Sequence, residues 1–378
     1  MSAEILRFPE SFLWGAARSP LKYEEEPELL EWPGINTHRL TIEWSSLEPE
    51  KGTWAGDAEQ HYRTVLRSYR NDGISPFVTL HNRRLPSWLE KLGGWESQRA
   101  AEAFERYVRR AVRSFGADVR HWITLDAPLS SAYYMYAGSA PSNMRSLGEA
   151  LRVYRNMIRA HARAYHVMHD EAQKLGVAAR VGVLENIRVF EPLRKGSVLD
   201  GFAARLRDIF LNWHMPNSLH AGVMVYPFGL NKHVPEMERC FDFIAVNYLK
   251  PRTIRFRPGR AREFFGESIP LTDSTGPGSD LRGEELCGIL ANVSRFGKPV
   301  YITEKDTATH GPHERCRLIV SHVKQVYDAI QMGGDVRGYL LCLSRDDVNS
   351  GRHLYCRICA ENGLPADLVR RYYPDAVW

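Results

Sequence analysis

Several short apolar runs of this chain end in side chains that can do chemistry. His81 and Asn82 close one run, Asp126 another, and Glu185 with Asn186 a third. Asn247, the pair Glu304 and Lys305, and Arg345 with Asp346 close three more. Any one of these residues could simply begin a loop. Gathered in one place they would line a pocket.

The elements that would gather them are legible in the hydrophobic pattern. Runs of strand character fall at 12–17, 37–44, 75–81, 121–126, 179–186, 241–248, 299–305 and 336–344. Between them lie stretches with apolar residues three and four apart, at 59–73, 97–116, 147–176 and 313–334, which read as helices. Strands buried on both faces are continuously apolar rather than alternating. Eight such strands joined by crossovers predict a single-domain (β/α)8 barrel over residues 1–378, with strand C-termini converging on the functional site. The Gly/Pro-rich stretch 269–283 reads as a long loop between the sixth and seventh strands, not a domain linker.

Composition narrows the classes of partner. Fifty basic residues are dispersed among 45 acidic ones for a net charge of +5, a solvated surface rather than a nucleic-acid patch. No run reaches the ~18 apolar residues of a membrane helix, and the N-terminus lacks a basic then apolar leader, so the expectation is a cytoplasmic protein without a membrane partner. Cys356 and Cys359 form a lone C-x-x-C, and Cys240, Cys287, Cys316 and Cys342 supply no second pair at ligand spacing. Neither a metal site nor a cofactor is expected.

The strand-end segments resemble, in order, the signature stretches of glycoside hydrolase family 1, the retaining β-glucosidase-like enzymes. FPESFLWGAARS (8–19) resembles F-P-x-x-F-x-x-G-x-A, and HRLTIEWSSLEPEKG (38–52) resembles Y-R-F-S-I-S-W-S-R-I-x-P-x-G. PFVTLHNRRLPSWLEKLGGW (76–95) is similar to P-x-V-T-L-x-H-W-D-L-P-x-x-L-x-x-x-G-G-W, and FGADVRHWITLDAP (115–128) to F-G-D-x-V-x-x-W-x-T-x-N-E-P. DFIAVNYLKP (242–251) resembles D-F-I-G-I-N-Y-Y-T, and KPVYITEKD (298–306) the nucleophile motif P-I-Y-I-T-E-N-G.

The resemblance implies a retaining mechanism with two carboxylates ~5–5.5 Å apart across the glycosidic bond. Glu304 matches the nucleophile, and Arg39 the arginine that pairs with it. The second carboxylate is missing: Ala127 stands where the acid/base glutamate belongs, with Asp126 replacing the preceding asparagine. General acid–base assistance is typically worth ~10²–10⁴-fold. Other sugar-gripping positions differ as well. Lys22 stands for a glutamine, Asn82 for the pocket histidine, Arg83 for a tryptophan, Leu249 for a tyrosine and Cys342 for the platform tryptophan. Asn349 and Ser350 fall near the glutamate and tryptophan that hold the far hydroxyls.

The substrate-binding set read from these matches is Arg39, Lys22, His81, Asn82, Arg83, Asn186, Asn247, Tyr248, Lys305, Arg345 and Asp346. Lys22, Arg83, Lys305 and Arg345 would add positive charge, which suits an anionic small molecule or serves internal ion pairs. Three readings follow. One is a repurposed enzyme using Glu304 and Asp126 on a specialised metabolite or an unusual or anionic glycoside. Another is a retaining glycosidase or transglycosidase for good leaving groups. The third is a non-catalytic binding protein on an old enzyme fold.

Overall fold

The computed structural model describes residues 6–18, 35–82, 84–136, 147–260, 263–270, 285–303 and 312–343. Along the chain run β1 (Leu13–Arg18), β2 (Thr37–Thr41), α1 (Trp44–Leu47), α2 (Gly56–Asn71), β3 (Ser75–Thr79), α3 (Ser87–Lys91), α4 (Arg99–Phe115) and β4 (His121–Asp126). Then follow α5 (Pro128–Tyr136), α6 (Leu147–Leu175), β5 (Arg180–Ile187), β6 (Phe190–Pro192), α7 (Val198–Arg207), a π-helical turn (Asp208–Trp213) and α8 (His214–Ala221). The described chain closes with β7 (Phe243–Tyr248), β8 (Arg252–Phe256), β9 (Gly266–Pro270), α9 (Glu285–Ser294), β10 (Val300–Thr303), α10 (Pro312–Gln331) and β11 (Val336–Leu343).

Eight of these strands pair in the order β1-β11-β10-β7-β5-β4-β3-β2 and close on themselves through β1 and β2, all parallel. The predicted barrel is therefore present, and each of its strands falls on one of the eight apolar runs. The period-2 geometry of a strand divides the side chains between two cores. Leu13, Phe77, Ile123, Leu184, Phe243, Ala245 and Tyr301 fill the barrel interior, while the alternate residues join the larger core shared with the helices. Gly182 leaves the interior room for an aromatic ring: a Cβ there would lie 2.5 Å from the Phe243 side chain.

Two features were not expected from the pattern. β6, β8 and β9 form a separate three-stranded sheet, packed on α7. Asp200 ties that sheet down, accepting hydrogen bonds from the Arg194 guanidinium and from the Phe256 backbone N–H. The predicted loop 269–283 begins inside β9, and its remainder lies outside the described residues.

Candidate active site

The polar layer of the barrel lies at the C-terminal ends of its strands. On β2, His38 bonds Tyr69 of α2 and Leu40 joins the outer core, so Arg39 between them faces inward. On β4, strict alternation from inward Ile123 would turn Asp126 outward. The β4–β5 register shifts between Ile123 and Asp126, however, and Leu125 joins the outer core. Asp126 consequently faces inward, where its Oδ2 accepts from Arg39 Nη1 at 3.3 Å. Both side chains are buried, and Arg39 Nε and Asp126 Oδ1 have no hydrogen-bond partner among the described residues.

The end of β4 is held from both sides. The Asp126 N–H donates to His81 O at 3.0 Å, and the Ala127 N–H donates to Leu184 O at 2.7 Å. Ala127 takes a left-handed backbone with φ 46, a conformation that is costly for a residue bearing a Cβ. It is buried, and its methyl group has no proton to give or accept.

On the adjoining strands a chain of side-chain hydrogen bonds crosses the mouth. Thr303 Oγ1 donates to Asn247 Oδ1, and Asn247 Nδ2 donates to Asn186 Oδ1 at 2.9 Å. Asn186 and Asn247 sit opposite each other in the β5–β7 register, on the inward face with Leu184 and Ala245. Thr303 immediately precedes Glu304 in the chain.

Two expected site residues are turned elsewhere. Tyr248 follows inward Asn247, so alternation points it at the helical layer, where its hydroxyl donates to Glu285 at the start of α9. His81 lies against Trp95 and Phe104 rather than in the mouth, and its Nε2 accepts from Trp95 Nε1 at 3.1 Å. Burial lowers the His81 pKa to about 4, against the opposing pull of Asp126, which leaves the imidazole neutral near pH 7. Asn82 is half-buried. Glu304, Lys22, Arg83, Lys305, Arg345 and Asp346 lie outside the described residues, as do Asn349, Ser350, Cys356 and Cys359.

Glu185, noted in the sequence as a strand-end acid, occupies the outer face of β5 with Val183 and Ile187. It is 1% exposed, and its carboxyl group has no side-chain hydrogen-bond partner among the described residues. Burial, then the neighbouring Asp126 carboxylate, push its pKa well above the ordinary carboxylate range. Two acids in different settings thus end neighbouring strands: Asp126 of β4 against an arginine inside the barrel, Glu185 of β5 desolvated in its wall. Asn212 had no sequence signal, because a lone asparagine outside any strand-end run is unremarkable. Among the described residues, no three His, Cys, Asp or Glu side chains come together to hold a metal ion. No described helix is long and apolar enough to cross a membrane.

A closed parallel barrel with buried polar side chains at its strand ends defines a (β/α)8 barrel protein. The model of glycosyl hydrolase family 1 matches residues 16–353, and the chain belongs to that family. It is 27% identical to beta-glucosidase A of Thermotoga maritima over 405 aligned positions, covering 89% of each chain. It is 25% identical to the 6-phospho-beta-glucosidase GmuD of Bacillus subtilis, covering 86% of this chain and 77% of that one. Among solved structures, a beta-glycosidase from Pyrococcus horikoshii superposes with a TM-score of 0.78 at 24% identity over 98% of both chains. The family 1 b-glucosidase from Thermotoga maritima in complex with isofagomine lactam gives a TM-score of 0.78 at 22% identity, over 96% of this chain and all of that one.

Proposed function

We propose that this family 1 barrel is a repurposed enzyme that keeps a nucleophile at Glu304, has lost the proton donor at Ala127, and acts on a non-standard substrate. Candidate substrates are a specialised metabolite or an unusual or anionic glycoside. One observation carries the reading. At the buried end of β4, where the family motif has its acid/base glutamate, the side chain is a methyl group. The carboxylate beside it, Asp126, is already engaged by Arg39.

The chemistry follows from what remains. Glu304 attacks the anomeric carbon while the bond to the leaving oxygen breaks, and that oxygen departs with the bonding electrons unless a proton reaches it. Without a donor, only leaving groups stable as anions depart readily. Breakdown of the glycosyl ester then wants a nucleophile that needs no base, and a small anion beside Ala127 meets that need.

Incubation with 2,4-dinitrophenyl glycosides of several sugars tests this reading. The expected result is a glycosyl adduct on Glu304 by mass spectrometry and turnover accelerated by azide, on the order of 10²-fold if it replaces base assistance. Glu304→Gln should abolish both. Turnover unchanged in Glu304→Gln, or neither adduct nor azide effect with any sugar, would overturn it. The methyl group of Ala127 at the buried end of β4 also supports a second reading, a small-molecule or carbohydrate-binding protein without chemistry. A ligand that binds tightly in calorimetry and is recovered intact after long incubation would select it.

A further inference from the structure

The six-residue π-helical turn Asp208–Trp213 joins α7 to α8 directly behind the end of β5. Turns of this kind are uncommon and recur at functional sites. This one turns Asn212 toward the strand. The Asn212 amide is 2% exposed, and its Oδ1 accepts from the Arg188 N–H at 3.2 Å. Its Nδ2 donates to the Arg188 C=O at 2.7 Å and to Asp208 Oδ1 at 2.8 Å. Trp213 Nε1 donates to the same Asp208 oxygen at 2.9 Å, so one carboxylate fixes two consecutive residues of the turn.

Arg188 is the first residue beyond β5, where the chain leaves the barrel for β6 of the flanking sheet. Asn212 therefore does for Arg188 what a neighbouring strand would do, gripping its N–H and C=O together. Two residues earlier Asn186 faces into the mouth and accepts from Asn247, which in turn accepts from Thr303.

We infer that Asn212 is a positioning residue: by clamping the Arg188 backbone it holds Asn186, and through Asn186 the Asn247–Thr303 pair that leads into Glu304. The functional part of this inference rests on the proposed reading of the barrel mouth as the ligand site. Its structural part does not. Nothing on Asn212 touches the mouth, so its effect is transmitted only through the strand end.

Two measurements on the full chain test it. The first is a crystal structure of Asn212→Ala, in which the Arg188 backbone should shift and the Asn186–Asn247 bond should open beyond 3.5 Å. Retention of that bond would overturn the inference whatever else changes. Should Asn212→Ala fail to fold, the pair Asp208→Asn with Asn212→Asp takes its place. It keeps a bond within the turn and acceptance from the Arg188 N–H, and it replaces the donation to the Arg188 C=O with a carboxylate oxygen that repels that carbonyl.

The second is a double-mutant cycle read by calorimetry with deoxynojirimycin as the probe. Asn212→Ala and Asn186→Ala should each weaken binding by on the order of tenfold, as small misplacements of site residues do. The double variant should be no weaker than Asn186→Ala alone, because the two act as one unit. Additive losses would mean that Asn212 acts by general destabilisation, and would overturn the inference. If the unaltered protein binds none of the probe, the glycoside reading of the mouth fails, and the crystallographic arm alone decides the role of Asn212.

Discussion

Arg39 and Asp126 form a buried ion pair where β2 and β4 end. The two groups lie 3.3 Å apart, with side-chain exposures of 8% and 3%. A pair this buried is costly to break and cheap to replace. Asp126→Ala should destabilise the fold by about 3–5 kcal/mol in urea unfolding, because it removes the acceptor that the buried Arg39 Nη1 has in Asp126. The joint replacement Arg39→Met with Asp126→Leu should recover most of that loss. A double variant as unstable as the single one would show that the pair serves packing rather than charge compensation. The identities of these residues were plain in the sequence, but the orientation of Asp126 was not. Strand alternation assigns it to the outer face, and a register shift that leaves no compositional trace reverses the assignment.

At the scale of elements, what could be read depended on how completely each element is buried. The barrel strands announce themselves because both of their faces meet apolar neighbours, as in VGVL of β5 or FIAV of β7. β6 spans three residues, and its sheet partner β8 is mostly half-buried, so neither shows a period long enough to detect. The π-helical turn likewise differs from α-helix only in hydrogen-bond register. Inside the barrel the interlock is tight enough to make a small change visible. Gly182→Ala would set a methyl group 2.5 Å from the Phe243 ring, which is itself wedged edge-on against Phe77 and Tyr301. The ring has little room to retreat, and overpacking of this kind costs about 1–3 kcal/mol. Equilibrium unfolding should register the loss as a lower urea midpoint, and an unaltered midpoint would mean that the aromatic cluster is free to slide.

Across the whole molecule, the buried histidines tie the barrel's stability to pH. Burial depresses the pKa of His81, His161 and His214 to about 4 each and that of His121 to about 3, from an ordinary 6.5. They are spread through the structure. His121 stacks on Phe77 at 4.4 Å inside the barrel, His161 bridges Thr124 and the Cys240 carbonyl, and His214 bonds Tyr154 of α6. The unfolded chain takes up protons on all four as pH drops through 6.5, while the folded chain holds them neutral until about pH 4. Their contribution is therefore complete above pH 6.5 and is lost as pH falls toward 4, at up to about 1.4 kcal/mol per pH unit for each histidine. Glu185 acts with the opposite sign. Its raised pKa keeps a proton on the folded chain above pH 4.5 that the unfolded chain has released, so its contribution declines as pH rises. Glu43, whose pKa burial also raises, acts in the same sense as Glu185, and the four histidines outnumber these two acids. Urea midpoints should thus fall steeply between pH 6.5 and 4, and His121→Gln should flatten that slope by the share of one proton. A stability that stays level over this interval would mean that these imidazoles titrate in the folded chain as they do in water, and would overturn the assignment of the pH dependence to their burial.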